Sequence, residues 1–100
     1  MNERILSYLG LARKANRVSL GHDASLASVL TGKALLVLLA QDVSDRLRRE
    51  FSRAVSDRNI QIINLPIPMT ELGRAVGSKA GVLTINDAGF ADRLKTICND

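Results

Sequence analysis

Cysteine, histidine and aromatic side chains are nearly absent from this chain. Of its 100 residues one is cysteine, one is histidine and 3% are aromatic, with no tryptophan. The lone Cys98 excludes an internal disulfide and fits a reducing, cytoplasmic setting. Nothing around Cys98 or His22 has metal-ligand spacing, and a single histidine leaves little material for a His-based catalytic pair. With so few rings, the core must be built from aliphatic side chains. No apolar run approaches the ~18 residues of a membrane span. Met1-Asn2-Glu3-Arg4 leads directly into an amphipathic pattern rather than a signal peptide. Both the P-loop pattern and the dinucleotide-binding Gly-x-Gly-x-x-Gly are missing. No metal, cofactor, membrane or small-molecule substrate is therefore expected as a partner, and catalysis is not expected.

What remains is a globular composition with a basic bias. Hydrophobic residues make up 46% and charged residues 24%, enough for one core and one domain. The net charge is +4, and ten of the 14 basic residues are arginine. A guanidinium is a planar fork suited to phosphates and guanine edges, so a polyanionic partner such as RNA is expected.

Hydrophobic spacing lays out the elements. From Glu3 to about Ala15, the residues Ile5, Leu6, Leu9 and Ala12 fall at helical intervals. Asn16-Arg17 breaks that helix, and Val18-Ser19-Leu20 reads as a short extended piece. A second helix is expected between Gly21 and Gly32, with Leu26, Val29 and Leu30 facing inward. Leu35 to Ala40 reads as a strand covered on both faces, since no polar residue interrupts it. Asp42 or Ser44 is expected to cap a third helix, whose inward stripe is Val43, Leu47, Phe51, Ala54 and Val55. Its arginines Arg46, Arg48, Arg49 and Arg53 are expected on a solvated face, or in a secondary RNA or protein contact. Ile60 to Leu65 reads as a strand that Pro66 and Pro68 terminate. Met69, Leu72, Gly73 and Val76 mark a fourth helix, Gly77 to Gly81 a flexible loop, and Val82 to Ile85 a further strand. Asp87 is expected to cap a last helix bearing Phe90, Leu94 and Ile97.

Two loop–strand–helix units share one grammar: Gly32-Lys33-Ala34 with Asp42 and Asp45-Arg46-Leu47, and Ser78-Lys79-Ala80 with Asp87 and Asp92-Arg93-Leu94. This repetition predicts an α/β sheet with helices on both faces. Asp42 and Asp87 follow strands, as acidic residues do in phosphorylation receiver domains. The chain lacks the acidic pair near a first strand and opens with a helix, so capping is the expected role.

The segments Leu9-Gly10-Leu11-Ala12-Arg13-Lys14-Ala15, Gly21, Gly32-Lys33-Ala34 with its apolar strand and Asp42, Glu71-Leu72-Gly73-Arg74-Ala75-Val76-Gly77, and Asp87-x-Gly89-Phe90-Ala91 occur in this order. Together they resemble the YlxQ-type bacterial branch of the kink-turn RNA-binding family, to which the ribosomal protein "seven-Ae" belongs. The resemblance spans nearly the whole chain. It implies a three-layer α/β/α sandwich, a single small domain over 1–100 with a mixed central sheet. It implies binding to structured RNA, a kink-turn or ribosomal RNA, by a ribosome-associated protein. The RNA contact would be the N-terminus of the second helix after Gly21, with His22 donating to phosphate or stacking on a base and Asp23 accepting from a guanine amino group. The loop containing Ser78, Lys79 and Ala80 would hold bulged nucleotides. Lys14, Arg17 and Lys33 would form a basic rim at the same end of the sheet.

The chain departs from the family pattern at two positions. Ala24 cannot hydrogen-bond a base edge, and Ala27 stands where RNA-binding relatives carry a lysine. Each lost base contact is worth about 1–3 kcal/mol. A second reading is thus a protein-interaction module on the same fold with weakened or lost RNA recognition. A third is the RNA-recognition part of a methyltransferase, which the absence of any catalytic segment places last.

Overall fold

The computed structural model describes residues 2–99. It runs α1 (Asn2–Lys14), β1 (Val18–Leu20), α2 (His22–Leu30), β2 (Leu36–Leu39), α3 (Asp45–Val55), β3 (Gln61–Asn64), α4 (Met69–Val76), β4 (Val82–Ile85) and α5 (Ala88–Cys98). Every predicted element is present, with ends shifted by a residue or two. Local chemistry explains the boundaries. Asn16 adopts φ 59°, and the turn closes through Asn16 N–H to Arg13 O and Arg17 N–H to Ala12 O, both 3.0 Å. Ser44 caps α3, its Oγ accepting from Leu47 N at 3.1 Å. Asp87 caps α5, its Oδ2 accepting from Phe90 N at 3.0 Å.

Asp42, the other candidate cap for α3, acts elsewhere. Its Oδ1 accepts from Met69 N at 2.9 Å, at the start of α4. The N-cap of α4 is Pro68, which has no side-chain acceptor to offer, so a loop carboxylate 27 residues earlier supplies it.

The four strands form one mixed sheet in the order β1-β4-β2-β3. β2 and β3 are parallel, joined by the α3 crossover, while β4 runs antiparallel to β1 and β2. Side-chain alternation along β2 splits the core. Leu36, Leu38 and Ala40 face α1, α4 and α5, together with Leu9, Leu72 and Leu94. Val37 and Leu39 face α2 and α3, together with Val29, Phe51 and Val55. The result is the expected three-layer α/β/α arrangement.

Two apolar residues are not where periodicity put them. Leu30 is 52% exposed and Leu35 is 41% exposed. Val29 faces inward as expected, Leu26 packs beside it half-buried, and the other buried positions on α2 are Ser25 and Ser28. Leu30 follows Val29 by one residue, about 100° around the helix, and so turns away from the sheet. Leu35 lies one residue before β2, outside the covered part of the strand.

Arg48 is pinned rather than solvated like its neighbours. Its Nη2 donates to Ala40 O at 3.1 Å and Gln41 O at 2.8 Å, and its Nη1 donates to Asn64 Oδ1. One guanidinium thereby ties the end of β2 to the end of β3.

Candidate nucleic-acid interface

The registers define the two ends of the sheet. Val18, Ile85, Leu36 and Gln61 pair across one end. Leu20, Val82, Leu39 and Asn64 lie toward the other. Gly21 follows Leu20 and its N–H donates to Val82 O at 2.9 Å. The start of α2 and the loop entering β4 therefore share one end.

Gly21 is the N-cap of α2, with φ 87° and ψ 173° and no side chain to cap the helix. This backbone region is essentially restricted to glycine. The first helical bond runs from Ser25 N to Gly21 O at 3.0 Å. The N–H groups of the first turn are left pointing off the helix end, where the dipole favours an anion.

The expected basic rim does not assemble there. Arg17 precedes β1 and Lys33 precedes β2, so both lie at the opposite end of the sheet. The nine residues of α2 separate the two ends by roughly 13 Å at 1.5 Å per residue. Lys14 leaves the site altogether: it lines the groove between α1 and α4, beside Glu71 and Arg74. Sequence order placed these cations near helix ends, but strand direction decides which end each one reaches.

Lys33 instead closes a groove that runs along α2 beside the edge strand β1. This groove has a volume of about 410 Å³, and its lining includes Asn16, Ala24, Ala27, Thr31 and Lys33. Its floor is a closed hydrogen-bond ring. Asn86 Nδ2 donates to Ser19 Oγ at 3.0 Å, and Ser28 Oγ donates to Asn86 Oδ1 at 3.3 Å. Ser19 and Ser28 lie 2.9 Å apart, so Ser19 is left as the donor in that pair. Thr84 Oγ1 also donates to Asn86 Oδ1 at 3.0 Å, and Ser25 Oγ donates to Ser19 O at 3.3 Å. Five polar side chains are thus satisfied beneath α2 and fix its height above the sheet.

His22 is exposed but engaged. Nδ1 contacts Asp23 Oδ1 at 2.8 Å and Nε2 contacts Glu50 Oε1 at 2.7 Å. The ring also meets Phe51 edge-on at a centroid distance of 5.9 Å. The hydrogen bonds to Asp23 and then Glu50 hold the imidazole above its ordinary pKa of 6.5. Asp23, the residue expected to accept from guanine, is occupied on one oxygen by this contact.

In the loop entering β4, Ser78 and Lys79 are exposed and line a hollow of about 450 Å³ with Met69, Thr70, Gly73 and Arg74. Gly73 lets this loop close on α4, since a Cβ there would sit 3.2 Å from Lys79 Cα and Ser78 O. Ala80 is 4% exposed and belongs to the core, so it is not available to a surface ligand. The apolar residue between Lys79 and Gly81 anchors the loop.

Sequence reasoning missed Asn16, Glu50, Thr31 and Asn86. Asn16 carried a signal, as an asparagine just past a helix is a common left-handed cap. Ser25 and Ser28, three apart on α2, hinted at a polar seam. Nothing in the sequence pairs Glu50 with His22. Cys98 is half-buried, and burial pushes its thiol above the ordinary range, consistent with a passive side chain.

This arrangement matches a known family. The family model of ribosomal proteins L7Ae/L30e/S12e/Gadd45 matches residues 3–95, and the chain belongs to that family. It is 33% identical over 91 residues to the RNA-binding protein YlxQ of Bacillus subtilis, covering 86% of each chain. It is 30% identical over 97 residues to the large ribosomal subunit protein eL30 of Eremothecium gossypii, covering 95% of this chain and 92% of that one. These relatives are ribosomal and RNA-binding proteins, not enzymes. Among solved structures, a Bacillus halodurans protein of unknown function superposes with a TM-score of 0.90 at 27% identity, over 96% of this chain and 97% of that one. The 15.5kD RNA-binding protein of Giardia lamblia superposes with a TM-score of 0.77 at 21% identity, over 98% and 84%, and shares the fold.

Proposed function

We propose that this protein binds structured RNA of the kink-turn class, in the cytoplasm and in association with the ribosome. The observation that carries this reading is the uncapped N-terminus of α2 at Gly21, at the same end of the sheet as the exposed loop bearing Ser78 and Lys79. The helix end offers backbone N–H groups to phosphate, Asp23 offers a carboxylate oxygen to a guanine amino group, and the loop receives the bulged nucleotides. The groove along α2 continues this surface toward Asn16 and Lys33, giving the RNA backbone a second point of attachment. The names of the relatives, an RNA-binding protein and a ribosomal protein, support the same reading. No helix among the described residues is long and apolar enough to cross a membrane.

Ala24 and Ala27 line the groove as bare methyl groups, which lowers the expected affinity relative to a site bearing a lysine. The test is a titration against a kink-turn RNA and a matched duplex lacking the tandem G·A pairs, at physiological salt. Preference for the kink-turn is the expected result. Equal or negligible binding to both would reject the reading and leave the protein-interaction module in its place.

A further inference from the structure

On the opposite layer from α2 lies a hollow between α1 and α4, with a volume of about 810 Å³. Its floor is apolar: Leu6, Gly10 and Leu11 from α1, Ala75 and Val76 from α4. Gly10 brings the helices close, since a Cβ there would stand 3.3 Å from Ala75 O. Leu11 is 56% exposed, the most exposed large hydrophobic residue among those described. The rim carries three cations, Arg13, Lys14 and Arg74, against one carboxylate, Glu71. Among the described residues none of the three cations is ion-paired.

From this juxtaposition we propose that the α1–α4 groove docks an acidic amphipathic helix of a partner protein. The partner's leucine-like residues would lie on Leu6, Leu11 and Ala75, and its flanking carboxylates would meet Arg13, Lys14 and Arg74. A groove between two helices accepts the side-chain ridge of a third. From Leu6 to Lys14 the floor runs roughly 12 Å along α1, which matches about two turns of a partner helix. Charge selects this occupant. A second copy of the chain carries a net charge of +4 and would bring cation to cation. RNA would find no aromatic ring in the groove on which to stack a base. The groove and the start of α2 lie on opposite faces of the sheet, while Arg74 and Gly77 line both the groove and the hollow at the Ser78–Lys79 loop, so the two sites adjoin there.

The probe is a displayed library of short helical peptides with varied stripe and flanking positions, selected against the intact protein. Selection is expected to enrich apolar stripes flanked by Glu or Asp. A selected peptide should shift the amide resonances of Leu6, Gly10, Leu11 and Ala75. Its affinity should fall by roughly tenfold or more in Leu11→Asp, as for a central interface anchor, and decline with salt and in Arg74→Glu. Leu11→Ser is the milder companion variant, and since Leu11 is exposed both should keep the fold and leave RNA affinity unchanged. Enrichment of basic peptides, no enrichment, or binding indifferent to Leu11→Asp would overturn the proposal. So would a dimer in sedimentation, or binding to anionic lipid vesicles, that Leu11→Asp abolishes.

Discussion

His22 Nε2 stands 2.7 Å from Glu50 Oε1, joining the first residue of α2 to α3 across 28 residues of sequence. The same ring contacts Asp23 Oδ1 through Nδ1 at 2.8 Å. A neutral imidazole has one N–H donor, so only the imidazolium can donate to both carboxylates. The clamp is thus a protonated state held above its ordinary pKa by its two acceptors.

The pH dependence follows from that direction. The folded pKa of His22 lies above the unfolded value near 6.5, so its stabilising contribution is fully present below about pH 6.5. It is lost as pH rises through the folded pKa. Solvent exposure keeps the effect small. NMR titration of the imidazole should give a pKa above 6.5, and Glu50→Gln should lower it. An unchanged titration in the variant would mean that the Glu50 contact does not persist in solution.

Gly21→Ala should destabilise the protein by about 1–3 kcal/mol, measured by urea unfolding. The cause is backbone strain at φ 87°, because no atom lies within 4 Å of the position a Cβ would take. A steric clash would instead be relieved by repacking of neighbours, and here there are none to move.

Ser28→Ala should cost about 1–3 kcal/mol, since it breaks the ring and leaves the Ser19 hydroxyl without its acceptor beneath α2, while Asn86 Oδ1 keeps Thr84. Loss of more than a few tenths in Ala24→Ser, by contrast, is not expected, because Ala24 is on the exposed face. Chemical denaturation of both variants checks the contrast.

Ala27→Lys should tighten RNA binding by placing a cation in the groove along α2. The plot of log K against log salt should steepen by about 0.7 to 0.9, the increment for one further phosphate contact. Lys33→Ala should act in the opposite sense. No change in slope in either variant would remove the groove from the RNA interface.

The order of elements was readable because each rests on local signals: helical spacing in Ile5, Leu9 and Ala12, an unbroken apolar run at Leu36–Leu39, a carboxylate cap at Asp87. Site geometry was harder, and for specific reasons. Arg17 and Lys33 looked like companions of Gly21, yet they lie at the other end of the sheet because β1 and β2 both start there. Lys14 looked like part of the rim, yet α1 turns it toward α4.

Sequence alone determined which segments become helices and strands, which layers must cover β2, and the lack of rings or clustered ligands for other chemistry. These depend on residue type and short-range period, both written along the chain. Tertiary structure alone decided that Asp42 serves α4, that Glu50 holds His22, that Arg48 ties β2 to β3, and that Leu11 is left bare beside Arg74. Each of these joins residues far apart in sequence. Their meeting is fixed by strand direction and helix packing, which no local pattern records.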